Sequence, residues 1–147
     1  MKIEFLVDTN VIIYLYDSDN LEKGENAQQL IEMIVTRNLA VISTQIAGEL
    51  FCHLNRYLKN AQEIVSLYLD NWKVLEVNSL IIKEAMRAVN QYQLSYWDAQ
   101  VWASAKLNQV PFIISEDIPG QNPLETVTYL NPFVADFDIN KIVDFKR

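Results

Sequence analysis

The chain has 147 residues, of which 50% are hydrophobic, and its formal net charge is −7. This length and composition indicate a single globular domain over residues 1–147 and exclude a disordered or repeat-built chain, and the lone cysteine excludes an intramolecular disulfide. The acidity argues against a broad nucleic-acid surface, which needs many lysines and arginines, but it suits a cleft that holds a cation or a surface that meets a basic protein.

The first residues form only a short apolar run, and no stretch of about 20 apolar residues follows, so we expect a cytoplasmic protein that does not use a membrane. The chain alternates short apolar runs with helical periods, which predicts a parallel sheet covered by helices on both faces. Strands are predicted at residues 3–7, 39–43, 73–77, 112–115 and 126–130. Helices are predicted at residues 25–37, 45–58, 61–71 and 79–92, the second and third forming a hairpin.

The first strand leads directly into an acidic residue, in the segment FLVDTNVI at residues 5–12. Asp8 would therefore stand at the carboxyl end of a buried parallel strand. Open α/β sheets bind their ligands at that edge. Asp8 is the first candidate for chemistry.

Two of the predicted helices carry apolar stripes at helical spacing, which indicates faces turned to the core. The helix at 25–37 has the stripe Ala27, Leu30, Ile31, Ile34 and Val35. The helix at 79–92 has the stripe Ile82, Ala85, Met86 and Val89. If the core leaves part of the first stripe free, its Ile31, Ile34 and Val35 offer apolar surface for a dimer.

A second acid follows the second strand, in STQIAGE at residues 43–49. Ser43 or Thr44 would cap the helix, and Glu49 would lie in an early turn, close to the apolar face. The competing interpretation is a solvated helix glutamate. Next to it, Cys52 is expected to be a core residue, and the only histidine, His53, is expected to be packed or solvated.

A third acid opens a helix, in YWDA at residues 96–99. Ser95 stands three residues before Asp98, so Asp98 either serves only to offset the helix dipole or is held near the strand ends by the small alanines that follow. Tyr96 and Trp97 beside it could stack on an unpaired base, although core packing is the expectation for Trp97.

A further acidic pair ends the fourth strand, in FIISED at residues 112–117. If this strand is a neighbour of the first, Glu116 and Asp117 converge on Asp8. The alternative is that the pair simply opens the turn before Pro119 and Gly120.

Taken together, the four acidic positions fall at strand ends or early helical turns on one edge of the sheet. Carboxylates gathered in a cleft repel one another, so such an arrangement normally needs a cation. Oxygen-only ligands suit Mg²⁺ or Mn²⁺, whereas one histidine and one cysteine are too few for the usual zinc site.

These motifs, with NPF at residues 131–133 after the last strand, resemble the PIN domain family, and most closely the VapC-type ribonuclease toxins of type II toxin–antitoxin systems. The likeness spans nearly the whole chain. It implies a three-layer, Rossmann-like α/β/α fold and metal-dependent cleavage of single-stranded RNA that leaves a 5′-phosphate and a 3′-hydroxyl. It also implies a homodimer and a small antitoxin whose tail enters the acidic cleft.

The resemblance assigns roles to residues of this chain. Asp8, Glu49, Asp98 and Asp117 would be catalytic. The metal ligands would be Asp8, Asp98 and Asp117, with Glu116 adjacent and able to take the ligand place, while Glu49 would be a ligand or the base that orients water. Thr9, Asn10 and Ser115 would support the first and last acids.

RNA must also be held, and Arg56 and Lys59 follow Glu49 along the same segment, where either could contact phosphate or belong to a solvated helix end. Two other functions compete with the nuclease. An aspartate-based phosphotransfer enzyme would need an acid at Asn10 or a lysine at Asn131. The other alternative is a PIN module that retains a metal site but binds RNA or protein without cleavage, and the intact acids argue against it.

Overall fold

A computed structural model describes residues 2–143 of the chain. Five strands form one sheet: β1 (Phe5–Val7), β2 (Ala40–Ser43), β3 (Lys73–Leu75), β4 (Phe112–Ile114) and β5 (Thr128–Leu130). Their order is β3-β2-β1-β4-β5, and every neighbouring pair is parallel. The flanking helices are α1 (Thr9–Ile12), α2 (Leu21–Thr36), α3 (Thr44–Leu54), α4 (Ala61–Asn71), α5 (Ser79–Tyr92) and α6 (Tyr96–Leu107). The predicted α/β/α architecture with a five-stranded parallel sheet is confirmed.

The register brings the carboxyl ends of the central strands to one edge. Leu6 of β1 pairs with Val41 of β2 on one side and with Ile113 of β4 on the other. Because β1 is central and fully buried, the residue that follows it emerges between two neighbouring strands. All five predicted strands exist, and each is shorter than its apolar run.

The helices differ from the prediction mainly at their ends. Helix α2 begins at Leu21, four residues before the predicted start, and includes Gly24. Gly24 lets the helix approach the Tyr14 carbonyl closely, because a Cβ atom at this position would lie 2.8 Å from that oxygen. Helix α3 begins after the Ser43 cap and ends at Leu54, four residues before the predicted end. The short helix α1 was not predicted, nor were the 3-10 helices Ile13–Tyr16 and Ile139–Lys141.

The core corrects two predicted helix faces. Val35 of α2 is 42% exposed, while Ile31 and Ile34 are buried, so the core leaves little of the apolar face that was expected to support a dimer. On α5 the buried residues are Ile81, Ala85 and Ala88, and the predicted core residues Ile82 and Met86 are exposed. Small alanines let α5 pack closely against α6, which rotates the buried face by one residue.

Two polar arrangements fix the segment before β5. The Asn122 side chain accepts from the Tyr129 backbone N–H (2.8 Å) and donates to the Tyr129 carbonyl (2.9 Å). Glu125, whose backbone has a positive φ of 51°, is bound by Arg87 of α5 (2.8 Å) and Lys106 of α6 (2.6 Å) over the buried Trp102 ring. Within residues 2–143, no helix has both the length and the apolar character needed to cross a membrane.

Candidate active site

The first acid is fixed by the backbone that surrounds it. Asp8 extends the pairing of β1 with β4, because its N–H donates to the Ile114 carbonyl (2.9 Å). It also caps α1, where Oδ1 accepts from the Thr9 N–H (2.8 Å). A short helix directly after the strand therefore turns the carboxylate toward the carboxyl edge of the sheet.

Ser115 connects the ends of β1 and β4. Its buried hydroxyl donates to Asp8 Oδ2 (2.9 Å) and accepts from Asn10 Nδ2 (3.2 Å) and from the Asp117 N–H (3.0 Å). Asn10 Nδ2 also donates to Asp117 Oδ2 (3.1 Å), and Asn10 Oδ1 accepts from the Glu116 N–H (3.1 Å). Asp8 and Asp117 are thus held on one polar network.

Three acids line a small cavity at this edge, of about 90 Å³, which we call the acidic cavity. They are Asp8, Asp98 and Asp117, and the remaining lining residues are uncharged: Leu94, Val101, Ile118, Pro119 and Tyr129. The backbone N–H of Asp98 donates to the Ser95 cap (3.2 Å), which leaves the Asp98 carboxylate free to face the cavity. Asp98 therefore belongs to the first turn of α6, which Ser95 caps, and it also lines the acidic cavity.

Glu49 lies beside the cavity acids. Thr9 Oγ1 donates to Glu49 Oε1 at 3.4 Å, a long bond, and Glu49 is exposed. Partial burial and the negative charges of Asp8 and Asp98 raise the pKa of the Glu49 carboxyl.

The same repulsion acts on Asp8. Burial raises the pKa of Asp8, and the charges of Asp98 and Asp117 raise it further, against the hydrogen bonds from Ser115 and the Thr9 N–H. The four acids therefore share one region of negative potential, and a positive charge placed there would relieve it.

The donor set fits a divalent cation of the Mg²⁺ or Mn²⁺ type. The polar groups that line the cavity are oxygens, and none of its lining residues in the described part of the chain is a lysine or an arginine. Over residues 2–143, no three acidic, histidine or cysteine side chains lie close enough together to hold a metal ion in this arrangement. Like-charged carboxylates stay apart without a counter-charge, and all three cavity acids are at least partly solvent-accessible.

The adjacent acids Glu116 and Asp117 face different surroundings. Glu116 forms an ion pair with Lys23 of α2 and accepts from the Tyr14 hydroxyl (2.8 Å). Burial opposes ionisation of Glu116, but these two partners prevail and lower its pKa. Asp117 is the member of the pair that lines the acidic cavity.

A groove of about 570 Å³ runs along α3 and past its end at Leu54 to Arg56, and we call it the α3 groove. Trp97 forms its other wall and is 62% exposed, so the expectation that this ring packs in the core is wrong. Cys52 is also exposed in the groove and is not a core residue. Its remaining lining residues are Thr44, Gln45, Gly48 and His53, whereas Lys59 is exposed beyond the end of α3.

Two residues at the site were not singled out from the sequence. Gln45 joins α3 to α6, because it donates to the Trp97 carbonyl (3.1 Å) and accepts from Gln100 (2.9 Å). Tyr129 is buried in the wall of the acidic cavity. Its position in the predicted strand was visible, but the face it occupies depends on the register of β5 with β4.

The fold and the acidic cavity define a class: a parallel α/β domain with carboxylates gathered at the carboxyl edge of its central strands. The sequence profile of the PIN domain matches residues 5–118, and the chain belongs to the PIN domain family. The resemblance found in the sequence is confirmed. No curated protein sequence matches this chain significantly.

Solved structures share the fold. A toxin–antitoxin complex from Klebsiella pneumoniae has a chain 19% identical to this one, with a TM-score of 0.67, over 88% of this chain and 98% of that chain. VapBC2 from Rickettsia felis, bound to a promoter DNA fragment, gives 12% identity, a TM-score of 0.68 and the same coverages. Mycobacterium tuberculosis VapC20, a sarcin-ricin loop cleaving toxin, is 18% identical to this chain, with a TM-score of 0.65, over 80% of this chain and 92% of that chain.

Proposed function

We propose that this chain is a metal-dependent endoribonuclease that cleaves single-stranded RNA and acts as the toxin of a toxin–antitoxin pair, with residues 1–147 as its single nuclease domain. The observation that carries the proposal is the acidic cavity, which Asp8, Asp98 and Asp117 line and which no cationic side chain of residues 2–143 lines. A cavity of this charge attracts a divalent cation, and a cation is what an anionic phosphodiester needs in order to approach.

Asp8, Asp98 and Asp117 would hold Mg²⁺ or Mn²⁺. When bound, the ion lowers the pKa of water and stabilises the negative charge that develops on the phosphate and on the leaving 3′-oxygen. The hydrogen bonds from Ser115 and the Thr9 N–H fix the Asp8 carboxylate, and Asn10 fixes that of Asp117. Glu116, paired with Lys23, is left as a supporting acid outside the cavity.

Glu49 is suited to the proton transfer. Its carboxylate lies beside the cavity acids, is held by a long bond from Thr9 Oγ1 (3.4 Å) to Oε1 and by Gln45, and would accept the proton of the attacking water. Its raised pKa moves this carboxylate toward the range in which a general base works at neutral pH.

The α3 groove would hold the RNA strand beside the acids. Trp97 offers an exposed indole on which an unpaired base can stack, and Arg56 can meet a backbone phosphate at the far end of the groove. Lys59 extends the positive charge past the end of α3. A single strand fits this arrangement because its bases are free to turn toward Trp97.

The similar structures support a partner. Two of them are a toxin–antitoxin complex and a VapBC complex bound to DNA, and we propose a small antitoxin and a homodimer for this chain as well. The net charge of −7 favours a partner with a basic segment that enters the acidic cavity. Light scattering of the purified chain tests the dimer, and a monomer at micromolar concentration would contradict it.

Cleavage of end-labelled single-stranded RNA tests the activity, with Mg²⁺ or Mn²⁺ against a chelator. Asp8→Asn and Asp98→Asn should abolish cutting, and Asp70→Asn, an exposed acid on α4, should leave it unchanged. Loss of cutting in these two mutants would exclude a contaminating nuclease as the source of the activity. Equal cutting by the two cavity mutants, or no cutting by the wild type, would refute the nuclease and favour a PIN module that only binds.

A further inference from the structure

Tyr129 is a buried residue whose hydroxyl has no hydrogen-bond partner within residues 2–143. The residue is 7% exposed, and within residues 2–143 its hydrogen bonds are those of its backbone with Asn122. Every fully buried side-chain nitrogen or oxygen in that part of the chain is hydrogen-bonded. The Tyr129 hydroxyl is therefore not fully enclosed by protein, and the acidic cavity is a cavity that this residue lines.

The cavity acids are not held equally. Asp8 accepts from the Thr9 N–H and from Ser115, one bond to each oxygen, and Asp117 accepts from Asn10. Within residues 2–143 the Asp98 carboxylate accepts no hydrogen bond, although its backbone N–H is engaged by Ser95. Carboxylates that ligate a metal ordinarily accept a further hydrogen bond that fixes their orientation. Asp98 is the cavity acid that lacks one.

Tyr129 is placed to supply that bond. Within residues 2–143, Tyr129 is the one residue other than the three acids that lines the cavity and has a polar side chain. Its hydroxyl interacts electrostatically with Asp8 and Asp98, whose charges, after burial itself, raise the pKa of Tyr129. Each Asp8 oxygen already accepts one bond, whereas the Asp98 carboxylate accepts none within residues 2–143, so Asp98 has the larger unused acceptor capacity.

We infer that Tyr129 is a positioning residue of the cation pocket, whose hydroxyl donates to the Asp98 carboxylate when this carboxylate turns to a divalent cation. The inference rests on the proposed function and deepens it, because it names the group that completes the pocket. Asn122 holds the Tyr129 backbone and so sets where the hydroxyl stands.

The test is the Mn²⁺ affinity of Tyr129→Phe, measured from the EPR signal of free Mn²⁺. Phenylalanine keeps the buried ring and removes only the hydroxyl. We expect affinity to fall about ten-fold, the lower end of what the loss of such a bond to a ligand costs. The matched control is Tyr68→Phe, whose hydroxyl bonds to Tyr16 on a different surface (2.8 Å) and whose loss should leave Mn²⁺ binding unchanged.

A second readout follows the hydroxyl itself. Mg²⁺ should produce a tyrosine difference absorption in the wild type and in Tyr68→Phe, and this signal should be absent in Tyr129→Phe. Circular dichroism confirms that each variant is folded. Equal Mn²⁺ affinity of Tyr129→Phe and wild type would overturn the inference. A wild type that binds Mn²⁺ but leaves RNA intact would refute the nuclease, while the comparison of affinities would still decide the role of Tyr129.

Discussion

Replacement of Ser115 by alanine should weaken the link between the ends of β1 and β4. The hydroxyl makes one bond to the Asp8 carboxylate and accepts two from Asn10 and the Asp117 N–H. A bond to a charged group contributes about 1.5–3 kcal/mol and a neutral bond about 1 kcal/mol. Asn10 and Asp117 are near solvent and can regain water, so we expect Ser115→Ala to lower the free energy of unfolding by about 3 kcal/mol.

Urea denaturation measures this loss, as a fall of about 1–2 M in the midpoint for a chain of this size. Ser104→Ala is the matched control, because Ser104 is equally buried but makes a single bond, to the Gln100 carbonyl of its own helix (2.8 Å). It should cost about 1 kcal/mol or less. If both variants lose the same stability, the Ser115 network does not join the strand ends as argued.

Three further outcomes are expected. Burial opposes ionisation of Glu125, but hydrogen bonds from Lys106, Tyr92 and Arg87 lower its pKa to about 2, below the ordinary value of about 4.3. The stability that the Glu125 charge contributes is complete above about pH 5 and is lost as the pH falls toward 2. In urea unfolding, the loss of unfolding free energy caused by Glu125→Gln should therefore be smaller at pH 3 than at pH 7. An equal loss at both pH values would contradict this. Asp117→Asn should reduce RNA cleavage strongly, whereas Glu116→Gln should reduce it by no more than about two-fold, because of these two acids it is Asp117 that lines the cavity. Equal losses of cleavage would place both acids at the metal. Arg56→Ala should weaken RNA binding and reduce its salt slope by about 1, whereas Lys83→Ala should not; an unchanged slope removes Arg56 from the site.

The sheet could be predicted because each strand is an apolar run bounded by polar residues. The order of the strands and the partners of Asp8 follow from pairings between distant segments, which no local pattern contains. The same limit applies to exposure. Trp97 and Cys52 have the composition of core residues, yet α3 and α6 leave them on the walls of a groove.

The acids themselves were found from the sequence, and the structure gathers three of them on one cavity. Which of the two adjacent acids, Glu116 or Asp117, lines the cavity could not be predicted from the sequence. Lys23, 93 positions before Glu116, decides which of two adjacent acids faces away from the cavity. The role of Tyr129 depends on the pairing of Ile113 with Tyr129 between β4 and β5, and so could not be seen in the chain order.

The bond between Ser115 and Asp8 joins residues 107 positions apart. A ribosome that has made α3, or even α6, has therefore not yet produced the strand that completes the cavity. The acidic cavity forms only after β4 has left the exit tunnel and paired with β1, when most of the chain already exists. Because the residues that build the acidic cavity come from both ends of the chain, a growing chain has no assembled cavity until most of its residues have been synthesised.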